Sequence, residues 1–157
     1  MIQQLIGHVG QFGSAAYDYF SSGQAWDDVK SGADGVKKWF EDTFGGGASP
    51  GGPEWNGGFN SFHRLKKYLG SPGVGNQWHH IVEQSQIEKS NFAKDIIHNI
   101  NNVVAISEDI HKEISRYYSQ IHDFTEGMRF RDWLAGQSFE DQYLWGLEII
   151  RMFGGQV

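Results

Sequence analysis

Between Trp78 and Tyr118 the chain spells out two strands and a helix. The stretch opens on WHHIVEQ, passes through a spacer to NNVVAIS, and ends on EDIHKEISRYY. Residues 77–82 predict a strand, and residues 102–106 predict a second by their β-branched content. Ser107 then stands at the N-cap of a helix, with Glu108 and Asp109 in the first turn to meet the positive end of its dipole. Ile110, Ile114, Tyr117, Tyr118 and Ile121 recur at helical spacing and predict its buried face. The order is strand, loop, strand, helix, and any fold for this chain must accommodate it.

The flanks read as helices. Upstream, Ser61 caps a short helix that carries Phe62, Leu65, Tyr68 and Leu69 inward and closes at Gly70. Downstream, a helix is predicted near 128–135. Another, capped by Ser138 with Asp141 three residues on, buries Phe139, Tyr143, Leu147 and Ile150. The spacer 83–101 reads as irregular with a short helix near 92–97. Before all of this, residues 45–58 read GGGASPGGPEWNGG, the composition of a linker. Residues 24–44 carry a helical stripe of Trp26, Val29, Ala33, Val36, Trp39, Phe40 and Phe44. The chain therefore divides into 1–52, amphipathic helices plus a Gly-rich linker, and 53–157, a domain. The fold class is α+β, mostly helical, with a hairpin-plus-helix core surrounded by helices.

Composition narrows the chemistry. There is no cysteine, so neither a disulfide framework nor a thiolate metal site is available. No apolar run reaches the length of a membrane span, and no signal peptide is expected at Met1. The net charge is −6, which opposes a general electrostatic grip on nucleic acid. Its distribution softens that conclusion. Residues 54–132 hold nine basic and ten acidic side chains, with Arg64, Lys66 and Lys67 clustered just upstream of the histidine pair. These three read equally as a solvated helix face or as phosphate contacts.

His79 and His80 are neighbours on a strand, so they point to opposite faces unless the strand kinks. One imidazole of such a pair suits a metal, and the other suits taking a proton from water. His111, on the helix, faces back on the hairpin as a second ligand. Asn102 has an amide able to bond backbone groups and hold the hairpin in shape. His8, His63, His98 and His122 read as surface or capping residues, with His98 close in sequence to the site. Tyr117 and Tyr118 read as core.

The run WHHIVEQ, then IHNINNVVAIS, then IHKEISRYYS resembles the HNH/endonuclease VII (ββα-metal) nucleases. It is most similar to their WHH-type branch at the C-termini of bacterial polymorphic, Rhs-like toxins. FNSFHRLKKYLGSPGVGNQ and RDWLAGQSFEDQYLWGL are similar to the flanks of such toxin tips, so the resemblance covers roughly residues 59–151. It implies a ββα-metal core with His79 and His111 as ligands of one divalent ion (Mg, Mn, Zn or Ni). It implies His80 as the general base and Asn102 as the mid-hairpin Asn of a catalytic set His80, His79, Asn102. Some members carry a further His where this chain has Ser115. Glu108, with Asn101 as a second candidate, could then complete the set. Glu83 stands where many relatives have Pro.

The activity implied is hydrolysis of DNA, leaving a 5′-phosphate and a 3′-hydroxyl, with RNA as the alternative substrate. Arg64, Lys66 and Lys67 would face the substrate. The resemblance further implies a larger parent toxin chain, a cognate immunity protein, and a secreted effector acting in the cytoplasm of a target bacterium. The rival from another class is a non-catalytic, metal-stapled interaction module.

Overall fold

The helix starts foreseen at Ser61, Ser107 and Ser138 each have a side-chain cap that explains them. The computed structural model describes Phe40, residues 42–44 and residues 55–157; the rest of the amphipathic helices and linker expected over 1–52 lies outside the described residues. Ser61 Oγ accepts the Arg64 N–H at 3.3 Å and begins α1, Phe62–Leu69. Gly70 ends it at φ 77°, a left-handed value that glycine adopts at no steric cost. Trp78 Nε1 donates to the Gly70 carbonyl at 2.9 Å, tying the next strand to the end of α1.

That strand is β1, Asn76–His80, and it pairs antiparallel with β2, Val103–Ser107. Asn76 lies opposite Ser107, His79 opposite Val104 and His80 opposite Val103. Both strands differ by a residue or two from the 77–82 and 102–106 that the sequence predicts. Asn102 is the reason. It belongs to a 3-10 turn, Ile100–Asn102, and stands beyond the ladder. Its carbonyl accepts the Ile81 N–H at 2.8 Å, and its side-chain Oδ1 accepts the Val82 N–H at 2.9 Å. Ile81 and Val82 thus find their partners in one asparagine rather than in a strand. The spacer holds two helices of a single turn, α2 (Gln86–Lys89) and α3 (Lys94–Ile97); only the second is foreshadowed in the sequence.

β2 runs without a loop into α4, Glu108–Ser119, whose N-cap Ser107 accepts the Ile110 N–H at 3.3 Å. Ile114 and Tyr118 are buried as the stripe predicts. Ile121 is not: α4 ends before it, Gln120 is extended, and Ile121 sits 63% exposed in an isolated bridge with Arg129. Tyr68, expected to point inward, is likewise exposed and packs edge-on against Trp55 at 5.3 Å. After a 3-10 turn, Asp123–Thr125, come α5 (Phe130–Leu134) and α6 (Phe139–Met152), the latter capped by Ser138 on Asp141 as expected.

The described residues thus form an α+β fold, mostly helical, around one two-stranded antiparallel sheet. One core joins Ile81, Val82 and Ile106 of the hairpin region to Ile97, Ile114, Tyr118, Phe130, Leu134, Trp145, Ile149 and Ile150. Phe40 and Phe44 belong to the same core: Phe40 meets Tyr143 edge-to-face at 5.1 Å, and Phe44 meets Phe139 at 5.0 Å. α6 reaches the hairpin through Gly146. A Cβ there would overlap the Ile81 carbonyl oxygen and lie 2.8 Å from Ile81 Cγ2. Only a glycine lets the helix backbone come so close. Among the described residues no helix is long and apolar enough to cross a membrane.

Candidate functional site

His79 and His80 are the last two residues of β1, and each ring meets a different second histidine. His79 faces α4, where the His111 ring stands 5.2 Å away at 85°. His111 owes its position to the direct β2–α4 junction, which the Ser107 cap fixes one turn upstream. His80 faces the spacer and α1. Its Nε2 lies 3.2 Å from His98 Nδ1, and its ring lies 4.4 Å from Phe62. Phe62 also stacks on His98 at 6.2 Å, nearly parallel. Lys66 Nζ sits 4.7 Å over the Phe62 ring, so a cation stands one ring away from the His80 side.

Asn102 is fully buried and clamps this arrangement. Besides accepting from Val82, its Nδ2 donates to the Val82 carbonyl at 3.1 Å and to the Ile97 carbonyl at 2.8 Å. One amide therefore holds the segment after the histidine pair to the end of α3, just before His98. Asn99 does similar work one turn earlier: Oδ1 accepts the Asn101 N–H, and Nδ2 donates to the Asn56 carbonyl at 2.8 Å. Asn101 is exposed, bonded through its own amide to Asn99. Glu83 pairs with Arg131 of α5 at 3.0 Å, and that partner accounts for an acid at this position. Burial pushes the Glu83 carboxyl up, and Arg131 opposes it.

Burial also keeps the histidines neutral. His79 is brought down to about 4, first by desolvation and then by the charge of His111. His80 is brought down to about 3 by desolvation, then by His98 and His79. Desolvation lowers His111, and it lowers His98 together with Lys94. Neutral imidazoles keep a lone pair free, which both metal ligation and proton abstraction require.

Of the residues singled out from sequence, His79 and His111 come together, His80 is next in the chain and meets His98, and Asn102 is their scaffold. Glu108 is exposed at the start of α4, and Arg64, Lys66 and Lys67 are exposed on α1. Ser115 Oγ lies 3.5 Å from His111 Nδ1, at the outer limit of a hydrogen bond. Among the described residues, no group of three His, Cys, Asp or Glu side chains gathers as a metal shell. His98 is not the surface or capping residue that the sequence suggests: it is buried, with His80 as its partner. No periodicity marks it, because the contact spans eighteen residues of irregular spacer. His122 packs against Tyr117 and donates from Nε2 to the Tyr117 carbonyl at 3.0 Å, away from the pair.

No family model, curated protein or solved structure matches the chain.

Proposed function

We propose that this chain is a metal-dependent endonuclease that hydrolyses DNA phosphodiesters, built on a ββα-metal core formed by β1, β2 and α4. The observation that carries the reading is the facing pair His79 and His111, brought together across strand and helix with His80 next in the chain. The two rings stand 5.2 Å apart, near enough that both could ligate one divalent ion. Two nitrogen donors, with no third His, Cys, Asp or Glu gathered beside them among the described residues, would leave positions on the ion for water and a phosphate oxygen. Such an ion would stabilise charge on the phosphoryl and leaving oxygens.

The chain's own residues supply the rest. His79 and His111 would hold the ion. Neutral His80 takes the proton of the attacking water, and the negative phosphate raises its affinity for that proton as substrate binds. Lys66, with Arg64 and Lys67 on the same helix, meets backbone phosphates. Asn102 acts through the backbone and positions His79 and His80 without touching substrate. The resemblance to WHH-type toxin tips carries the wider part of the proposal: a secreted effector, part of a larger toxin chain, cutting DNA in the cytoplasm of a target bacterium and neutralised by an immunity protein.

The test is cleavage of plasmid DNA and of RNA by purified protein with Mg²⁺, Mn²⁺, Zn²⁺, Ni²⁺ or EDTA, beside His80→Ala. Metal-dependent DNA cleavage that vanishes in the variant is the expected result. RNA cleavage alone would keep the site and change the substrate. Metal binding with no cleavage of either would turn the reading to the metal-stapled interaction module.

A further inference from the structure

His80 and His98 together form a second histidine pair, and its geometry bears on how a base could work at this place. The 3.2 Å between His80 Nε2 and His98 Nδ1 fits one shared proton. Phe62 lies against both rings, at 4.4 and 6.2 Å, and walls the pair from one side. Both residues are buried, and the backbone on either side is fixed by Asn102, which bonds Val82 two residues after His80 and Ile97 one residue before His98. The pair is therefore held rigidly, and the shared proton can sit on only one of the two nitrogens.

The choice matters. If His98 Nδ1 carried the proton, His80 Nε2 would accept it. Neutral His80 would then bear its own hydrogen on Nδ1 and have no lone pair left for water. If His80 Nε2 carries it and donates to His98 Nδ1, His80 Nδ1 is bare. Resting on the nuclease reading, we propose that His98 is the positioning residue of the general base: it accepts the Nε2–H of His80, fixes the imidazole's orientation and tautomer, and leaves His80 Nδ1 as the nitrogen that deprotonates water. In the step, a water O–H breaks and its proton goes to Nδ1. The oxygen's electron pair forms the new P–O bond as the bond from phosphorus to O3′ breaks, and the departing oxygen takes a proton from solvent. The His80 imidazolium keeps its Nε2–H donated to His98 and later loses the Nδ1 proton to solvent. The role parallels that of a buried acceptor behind a catalytic histidine elsewhere, here filled by an uncharged ring.

The test combines kinetics with imidazole nitrogen NMR on the intact chain. In the wild-type protein, ¹⁵N–¹H correlations are expected to show neutral His80 protonated at Nε2 and His98 bare at Nδ1. His98→Ala is expected to lower kcat on a DNA duplex by about ten- to a hundredfold with KM and Zn²⁺ affinity unchanged. His98→Asn, whose carbonyl oxygen can still accept from Nε2–H, is expected to recover most of the loss. A wild-type His80 protonated at Nδ1 would overturn the proposal. So would an active wild-type enzyme left unchanged by His98→Ala, or Zn²⁺ titration that moves the His98 nitrogens as direct ligands. If wild-type protein cuts no nucleic acid, the nuclease reading fails, and the NMR result still decides the tautomer. Should His98→Ala fold poorly, His98→Asn and the wild-type spectrum decide alone.

Discussion

A histidine that is neutral inside a protein and charged in the unfolded chain makes stability depend on acid. His79 and His80 are lowered from 6.5 to about 4 and about 3, with desolvation the first cause for both. Below pH 6.5 the unfolded chain takes up protons that the folded chain refuses, so unfolding gains free energy as pH falls. Stability is whole above about pH 6.5 and is lost progressively toward the folded values near 4 and 3. Metal-free protein is therefore expected to lose on the order of a few kcal/mol between pH 7 and pH 4.5. Urea midpoints in EDTA at the two pH values would measure it, and a His79→Gln/His80→Gln variant should show a flatter profile. An equal pH slope in the variant would assign the loss to other groups. At this scale the sequence was informative about identity and weak about partners. The types and order of His79, His80, Asn102 and His111 put them on a hairpin and its following helix, while strand alternation left open whether the adjacent pair would part or serve one site. The His80–His98 and Glu83–Arg131 contacts join residues 18 and 48 apart through segments without a period, so nothing local encodes them.

Among the elements, caps and stripes were the reliable signals. Ser61, Ser107 and Ser138 each accept from the third residue on, as their positions require. The limits failed where a side chain stands in for backbone, as Asn102 does at both strand ends, and where a helix is a single turn, as in α2, too short to display a repeat. Gly146 shows a signal left unused. A glycine in the middle of a helix costs about 1 kcal/mol against alanine, and in α6 it is the point where the helix meets the Ile81 carbonyl. Gly146→Ala should therefore destabilise the protein by at least about 2 kcal/mol despite its better helix propensity. Thermal melting would check it; a raised Tm would show that the helix can step back from β1 at no cost.

For the whole molecule, the glycine-rich stretch 45–58 reads as a boundary, yet Phe40 and Phe44 pack into the aromatic cluster of α6 beyond it. Phe40 is 3% exposed, and Phe40→Ala should cost about 3–5 kcal/mol. Equilibrium urea unfolding of the full chain is the measurement, and a change under about 1 kcal/mol would mean that the residues past the linker fold without it. Composition could not foretell this contact, since linker chemistry says where a chain bends and not what it returns to. The approach of Gly146 to Ile81 has a further consequence, which lies in time. The turn, the hairpin and α4 are contiguous and can form as soon as they exist. The residue that follows the histidine pair gains its cover only when position 146 arrives, 65 residues later by the numbering of the two partners. A chain that emerges from its N-terminus carries Ile81 uncovered on this side until then, and closing that face of the hairpin region is among the last events of its folding.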